Sequence, residues 1–150
     1  MTIGQDPRFG RGRGNLSCIA ADKTGDATRP AKVWTYDRIE RTLSTPSVAD
    51  GLLYVADYGG TIHCLDAETG HCYWTHETKQ PVWASTFLAD GKLYLGTTKR
   101  GLWVLKTGKE KKVLGTIRLD SGITSTPCAA DGVLYVASQH YLWAVHQQRE

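Results

Sequence analysis

Short apolar runs alternate with polar turn clusters along most of this chain, and no segment places apolar residues at helical spacing over about ten positions. Three segments are near copies of one another: ADGLLYVAD at 49–57, ADGKLYLGT at 89–97 and ADGVLYVAS at 130–138. Their aspartates, Asp50, Asp90 and Asp131, stand 40 and 41 residues apart. Each copy follows a shared piece (LSTPSVA, WASTFLA, TSTPCAA) and precedes another (TIHCLDA, GLWVLKT, YLWAVHQ). The pieces are short, rich in Val, Leu, Tyr, Thr and Trp, and bounded by turn residues, so they read as strands. Ala-Asp-Gly before each central piece reads as a tight hairpin turn, with glycine supplying a positive φ.

The pattern predicts strands at 43–49, 52–56, 61–65 and 71–76, then 82–88, 92–96, 101–105 and 112–118, then 123–129, 133–138 and 141–146. Asn15-Leu16-Ser17-Cys18-Ile19 matches Thr61 to Leu65 at an offset of 46, and Ala31 to Asp37 matches His71 to Glu77 at an offset of 40. The connection around Asp26 to Pro30 is therefore six residues longer than its counterpart. This N-terminal piece is expected to supply a third and a fourth strand only. Four-stranded antiparallel units repeating every forty residues or so are the organisation of a β-propeller blade. The expected fold is all-β, a partial propeller. It has a basic arm over 1–14, a partial blade at 15–37, full blades at 43–78 and 82–120, and a three-stranded blade at 123–146. Expected core positions are Leu53, Val55, Ile62, Leu65, Trp74, Leu93, Leu95, Leu102, Val104, Leu134, Val136 and Leu142.

At Leu53-Tyr54-Val55, followed by Leu65-Asp66-Ala67-Glu68-Thr69-Gly70-His71-Cys72-Tyr73-Trp74, the chain resembles the repeats of PQQ-like (pyrroloquinoline-quinone-type) β-propellers. The second unit departs from that pattern: Lys106 replaces Asp66, Gly108 is kept, and Leu114 falls at the tryptophan position. In the N-terminal piece the turn is Lys23-Thr24-Gly25. The resemblance covers residues 15 to 146 and implies the propeller fold. It implies two kinds of function, since the repeat occurs in quinoprotein dehydrogenases, which carry a quinone and calcium, and in non-catalytic propellers of outer-membrane-protein assembly. Physically, the tryptophans and Thr-Gly turns are packing devices, because a large ring can dock between neighbouring blades and fix their angle.

Candidate chemistry is sparse. The four cysteines, Cys18, Cys64, Cys72 and Cys128, are neither adjacent nor spaced as C-x-x-C, which excludes a disulfide scaffold and the common zinc patterns. His63-Cys64 and His71-Cys72 invite a metal reading, but adjacent strand residues point to opposite faces, so packing is the expected role and no metal is expected. Cys64 with Cys72, or His63 with His71, stay open as cross-strand pairs. No nucleophile elbow or phosphate loop is present; Gly10-Arg11-Gly12-Arg13-Gly14 precedes a strand rather than a helix. No catalytic residue is therefore assigned, and no cofactor is expected; PQQ and calcium enter only if the chain is part of a dehydrogenase.

The net charge of +3 argues for no particular partner. Its one cluster, Lys99, Arg100, Lys106, Lys109, Lys111 and Lys112 against Glu110, reads as a solvated blade edge, and nucleic acid is not an expected partner. The preferred reading is a non-catalytic scaffold or binding module for a protein or small ligand. Its expected contacts lie at strand ends, at Tyr58, Trp83, Lys99, Arg100, Gln139, His140 and Tyr141. The alternative is a subunit of a quinone-dependent dehydrogenase whose ring forms only on assembly. Neither a signal peptide nor a transmembrane span is expected from the sequence as it stands. The compartment is cytoplasmic if the chain is whole and periplasmic if a leader was removed. Three blades are too few to close a ring, so a homodimer is expected. In it the N-terminal strand of each copy would complete the last blade of the other, giving six blades and leaving the Cys18 strand over. A fragment of a longer propeller is the other reading.

Overall fold

The computed structural model describes residues 2–3, 13–22, 24 and 31–146. Among them no residue is helical, and fourteen strands form four antiparallel sheets. The first sheet holds β1 (Thr2–Ile3), β2 (Asn15–Ile19) and β3 (Lys32–Tyr36). The second holds β4 (Ser47–Ala49), β5 (Leu52–Ala56), β6 (Thr61–Asp66) and β7 (Cys72–Glu77). The third holds β8 (Phe87–Ala89), β9 (Lys92–Gly96), β10 (Gly101–Lys106) and β11 (Lys112–Arg118). The fourth holds β12 (Cys128–Ala130), β13 (Val133–Ala137) and β14 (Leu142–His146). Within each sheet strands pair in chain order, so each sheet is an up-and-down blade.

The Asp-Gly turns are of the hairpin type the sequence implies. Asp50, Asp90 and Asp131 have φ of 51°, 49° and 50°, and the glycines after them 72°, 63° and 76°. Two consecutive left-handed residues match the right-handed twist of the flanking strands. The initial strands are shorter than expected, beginning at Ser47, Phe87 and Cys128 rather than 43, 82 and 123. The residues before them run as loop. Thr42, for example, is buried and its Oγ1 donates to Ala56 O at 2.5 Å; Pro46 brings no amide hydrogen to a ladder.

Each four-stranded sheet, and the first sheet too, carries a β-bulge between its last two strands. Cys18 faces Trp34 but Ile19 faces Lys32; Cys64 faces Trp74 but Leu65 faces Cys72; Val104 faces Gly115 but Leu105 faces Val113. Val33, Tyr73 and Leu114 are the extra residues. The bulge corrects one expectation: Gly115, not Leu114, stands where Trp34 and Trp74 stand, and Leu114 is 46% exposed.

Alternate side chains of each blade face opposite neighbours. Leu52, Tyr54, Ala56, Ile62, Cys64 and Trp74 pack forward on Leu93, Leu95 and Leu105 of the third sheet and on Val82 and Ala84 of the connection that enters it. Leu53, Val55 and Leu65 pack backward on Leu16, Trp34, Tyr36 and Ile39. The third and fourth sheets meet through Leu102, Ile123 and Val136. Tryptophan locks two junctions: Trp34 Nε1 donates to Ala67 O at 3.1 Å, and Trp74 Nε1 to Gly108 O at 3.0 Å. Of the expected core, Val104 and Leu134 are only half-buried, and Leu142 is 71% exposed because no described residue packs on the forward face of the last sheet.

Inside the stretch expected as an arm, β1 pairs with β2, and Gly14 N donates to Ile39 O at 3.0 Å. A Cβ on Gly14 would fall 2.0 Å from Glu40 O, so only glycine permits that approach. Gly10, Arg11, Gly12, the turn residues Lys23 and Gly25, and the connection 26–30 lie outside the described residues. The strand count is also corrected. β3 pairs with β2 of its own chain, so the Trp34 strand is not spare for exchange and the Cys18 strand is not left over.

Candidate functional site

Antiparallel connectivity puts the hairpin turns 57–60, 97–100 and 138–141 at the same end of their sheets as the connections that enter β4, β8 and β12. Backbone hydrogen bonds stitch these segments together: Tyr58 N to Arg41 O at 2.9 Å, Thr98 N to Pro81 O at 3.0 Å and Gln139 N to Gly122 O at 3.2 Å. All seven expected contact residues lie at this end, in two groups. Trp83, 48% exposed, sits 6.4 Å from the Tyr58 ring, whose other neighbour is the Arg41 guanidinium at 5.2 Å. One junction further on, Lys99, Arg100, Gln139 and His140 line a groove of about 440 Å³ together with Arg118, Asp120 and Ser121. Tyr141, 62% exposed, stands beside it, 6.5 Å from His140 and 5.9 Å from Trp143.

Asp120 organises that groove, and the repeat pattern does not reveal it. Its carboxylate accepts from Ser138 Oγ at 2.6 Å, Ser121 Oγ at 2.7 Å, and Trp143 Nε1 at 3.3 Å, and lies 3.2 Å from His140 Nδ1. Burial works to raise its pKa, yet these donors together hold it well below the ordinary carboxylate range, because each favours the charged form. Arg100 is held in a left-handed conformation at φ 77°, and Leu119 N donates to its carbonyl at 2.9 Å.

A second groove, about 640 Å³, opens between the first two sheets and is lined by Arg13, Arg38, Glu40, Asp57, His63 and Thr75, among others. At its base runs a buried chain of hydrogen bonds. Asp57 Oδ2 lies 3.1 Å from His63 Nε2, and His63 Nδ1 lies 3.1 Å from the Tyr36 hydroxyl. Asp57 Oδ1 accepts from Gly60 N at 3.0 Å and Thr61 N at 2.8 Å. Burial opposes ionisation of Asp57, but the hydrogen bonds from His63 and Thr61 outweigh it and lower the pKa. Burial raises that of Tyr36. Repeat alignment explains the chain as framework. Thr97 and Ser138 occupy the Asp57 position and close the same turn through Gly101 N and Tyr141 N, both at 3.2 Å. Trp103 and Trp143 occupy the His63 position.

The basic cluster of the sequence is divided by the fold. Lys99 and Arg100 precede β10, Lys106 is its last residue, and Lys109, Lys111 and Lys112 follow it. Six extended residues, about 3.3 Å each, separate the two ends. At the far end Lys109 Nζ lies 5.0 Å over the Tyr73 ring, and Lys111 Nζ donates to Thr75 O at 3.2 Å. Tyr73 in turn donates to Asp66 at 2.9 Å, which foremost brings that carboxyl down to about 2. All four cysteines are free thiols. The bulge sets Cys72 opposite Leu65 and Cys64 opposite Trp74, so the two thiols face different junctions; burial pushes that of Cys64 up to about 11. Among the described residues no three His, Cys, Asp or Glu side chains gather as a metal site requires.

Blades that repeat about every forty residues, joined by indole-to-turn hydrogen bonds and with the seven expected contact residues at one loop end, define a partial β-propeller built of PQQ-like repeats. The sequence profile of the family described as outer membrane protein assembly factor BamB matches residues 20–111, and the chain belongs to that PQQ-like repeat family. It is 29% identical over 82 residues to a quinoprotein ethanol dehydrogenase of Pseudomonas putida, a match that covers 53% of this chain and 13% of that protein. The crystal structure of BamB from Moraxella catarrhalis superposes with a TM-score of 0.67 at 24% identity, over 83% of this chain and 37% of the other. A chain of the mitotic checkpoint complex superposes at 0.64 with 15% identity, over 82% and 43%. The chain thus spans less than half the length of each of these relatives, and the structural likenesses show the fold alone.

Proposed function

We propose that this chain is a non-catalytic propeller scaffold that binds a protein partner at the loop end carrying Trp83 and the Asp120 groove, and that it works as a homodimer. The observation that carries the reading is the gathering of exposed aromatic and cationic side chains there: Trp83 beside Tyr58 and Arg41, then Lys99, Arg100, His140 and Tyr141 around Asp120. Trp, Tyr and Arg are the residue types that carry most binding energy at protein interfaces, and a rigid sheet array supplies preorganisation. The match to the family of an outer membrane protein assembly factor supports it, since that name denotes work in a protein assembly.

The test is site-specific photo-crosslinking. A probe at position 83 or 141 is expected to give discrete protein adducts that Arg100→Ala weakens, whereas a probe at 112, at the opposite end, gives none. Equal labelling from both ends would end the reading. The second reading, a quinone-dependent dehydrogenase subunit completed on assembly, is favoured by the 82-residue likeness to the quinoprotein. Calcium takes six to eight oxygen ligands, and no acidic cluster among the described residues offers them, so these residues by themselves do not fit a quinone–calcium site. A visible absorption band and alcohol oxidation after reconstitution with quinone and calcium would establish that reading instead.

A further inference from the structure

We infer that the two outer faces of the four-sheet array are the two halves of one interface, and that a second copy of this chain fills them, closing a ring of eight sheets. The inference rests on the dimer part of the reading above and replaces strand exchange with face-to-face docking.

The argument comes from equivalent positions in the repeat. The forward face of each sheet presents Leu16, Ile62, Leu102 or Leu142 at the same place in its penultimate or last strand. The first three are 1%, 0% and 1% exposed, because a following sheet covers them; Leu142 is 71% exposed. The backward face presents Ile19, Leu65 or Leu105 at one equivalent place. Leu65 and Leu105 are fully buried against the preceding sheet, Val145 at that place in the fourth sheet is 37% exposed, and Ile19, with no described sheet before it, is 52% exposed. Inside the chain these two positions meet twice across a junction: Leu16 and Leu65 share one apolar cluster, Ile62 and Leu105 another. Leu142 and Ile19 are the same pair of positions with no described sheet stacked on either. One chain therefore exposes both the donor and the acceptor half of a junction it builds twice internally, and a second copy is the occupant whose shape already fits.

Four described sheets per copy make the geometry close. Two copies give eight sheets, within the four to eight blades from which propeller rings are built. A two-fold axis uses both faces of both copies and leaves none to polymerise. The two junctions so formed are identical, each pairing Leu142 of one copy with Ile19 of the other.

Light scattering coupled to size exclusion tests this on the full chain. The wild type is expected at about 33 kDa, twice its 16.5 kDa. Leu142→Asp and Ile19→Asp should each give a folded 16.5 kDa species, with the dimer dissociation constant raised at least about 100-fold by an unpaired carboxylate in an apolar junction. Both side chains are exposed in the single chain, so neither substitution touches its core. An equimolar mixture of the two variants retains one intact junction per dimer and is expected to regain the 33 kDa species. A wild type that is monodisperse at 16.5 kDa with a sheet-type circular dichroism spectrum overturns the inference. So does an unchanged mass in either variant, or a mixture that stays monomeric. Crosslinking from position 83 in the Leu142→Asp variant reports the loop-end reading independently of this result.

Discussion

Replacing two tryptophans, one at a time, by phenylalanine tests whether indole-to-turn hydrogen bonds join the blades. Trp74 is 8% exposed, donates to Gly108 O at 3.0 Å and lies 6.0 Å from the Tyr54 ring. Gly108 is clamped from the other side, its amide donating to the Tyr54 hydroxyl at 2.8 Å. Trp74→Phe keeps most of the apolar contact but deletes the donor. The lost bond costs about 1 kcal/mol, and the carbonyl, left with only the long contact from Cys64 Sγ at 3.7 Å, about 1 more. Trp103 is the internal control. It faces His76 edge-on at 4.8 Å, and its buried Nε1 has no hydrogen-bond partner among the described residues. Trp103→Phe removes an unsatisfied buried donor, which offsets the lost area, so its cost is expected within about 0.5 kcal/mol of zero. With a urea m-value of about 2 kcal/mol/M, Trp74→Phe should lower the unfolding midpoint by about 1 M and Trp103→Phe should hardly move it. Circular dichroism at a fixed protein concentration reads both. Equal losses, or a larger loss at Trp103, would refute the claim that the turn carbonyl is what the repeat tryptophan serves.

Two glycines with nearly the same φ separate backbone strain from packing: a Cβ added at Gly51 (72°) would have no described atom within 4 Å, while at Gly70 (74°) it would meet the Trp34 ring at 2.7 Å. Gly51→Ala should cost about 1 kcal/mol and Gly70→Ala about 1–3 more, read as thermal midpoints; equal shifts would mean Trp34 does not dock there. Asp57→Asn should destabilise the protein by about 2 kcal/mol at pH 7 by weakening its bonds to His63, Gly60 and Thr61. Because folding lowers the Asp57 pKa, its contribution is present above the unfolded value of about 3.9 and fades as pH falls through the lower folded value. Urea midpoints of wild type and variant should therefore converge below about pH 4, and a gap that persists undiminished to acid would exclude the ionised carboxylate as the cause. The crosslinking contrast between positions 83 and 112 and the mixing of the Ile19 and Leu142 variants complete the set.

Most of the local structure was legible in the sequence. Period-two alternation, the Asp-Gly pairs and the forty-residue repeat are properties of neighbouring residues, so they determined strand order, turn type and the face each side chain of Leu53-Tyr54-Val55 takes. They also placed the seven loop-end residues at strand ends. The sequence could not show which of these meet, because Lys99 and Gln139 are brought to one groove only by the stacking of the third and fourth sheets. Asp120 was invisible for a related reason: its counterparts in the two earlier connections are Ile39 and Lys79, and its importance lies in donors from Ser138, His140 and Trp143. The basic cluster looked continuous along the chain, but an extended strand carries its two halves to opposite ends. The repeat alignment slipped by one residue at Leu114, since a bulge adds a residue without leaving a mark in composition. Tertiary structure alone decided the exposure of Leu142 and Ile19, because burial at a repeat position depends on whether another sheet is stacked against it, and the residue itself is the same kind in either case.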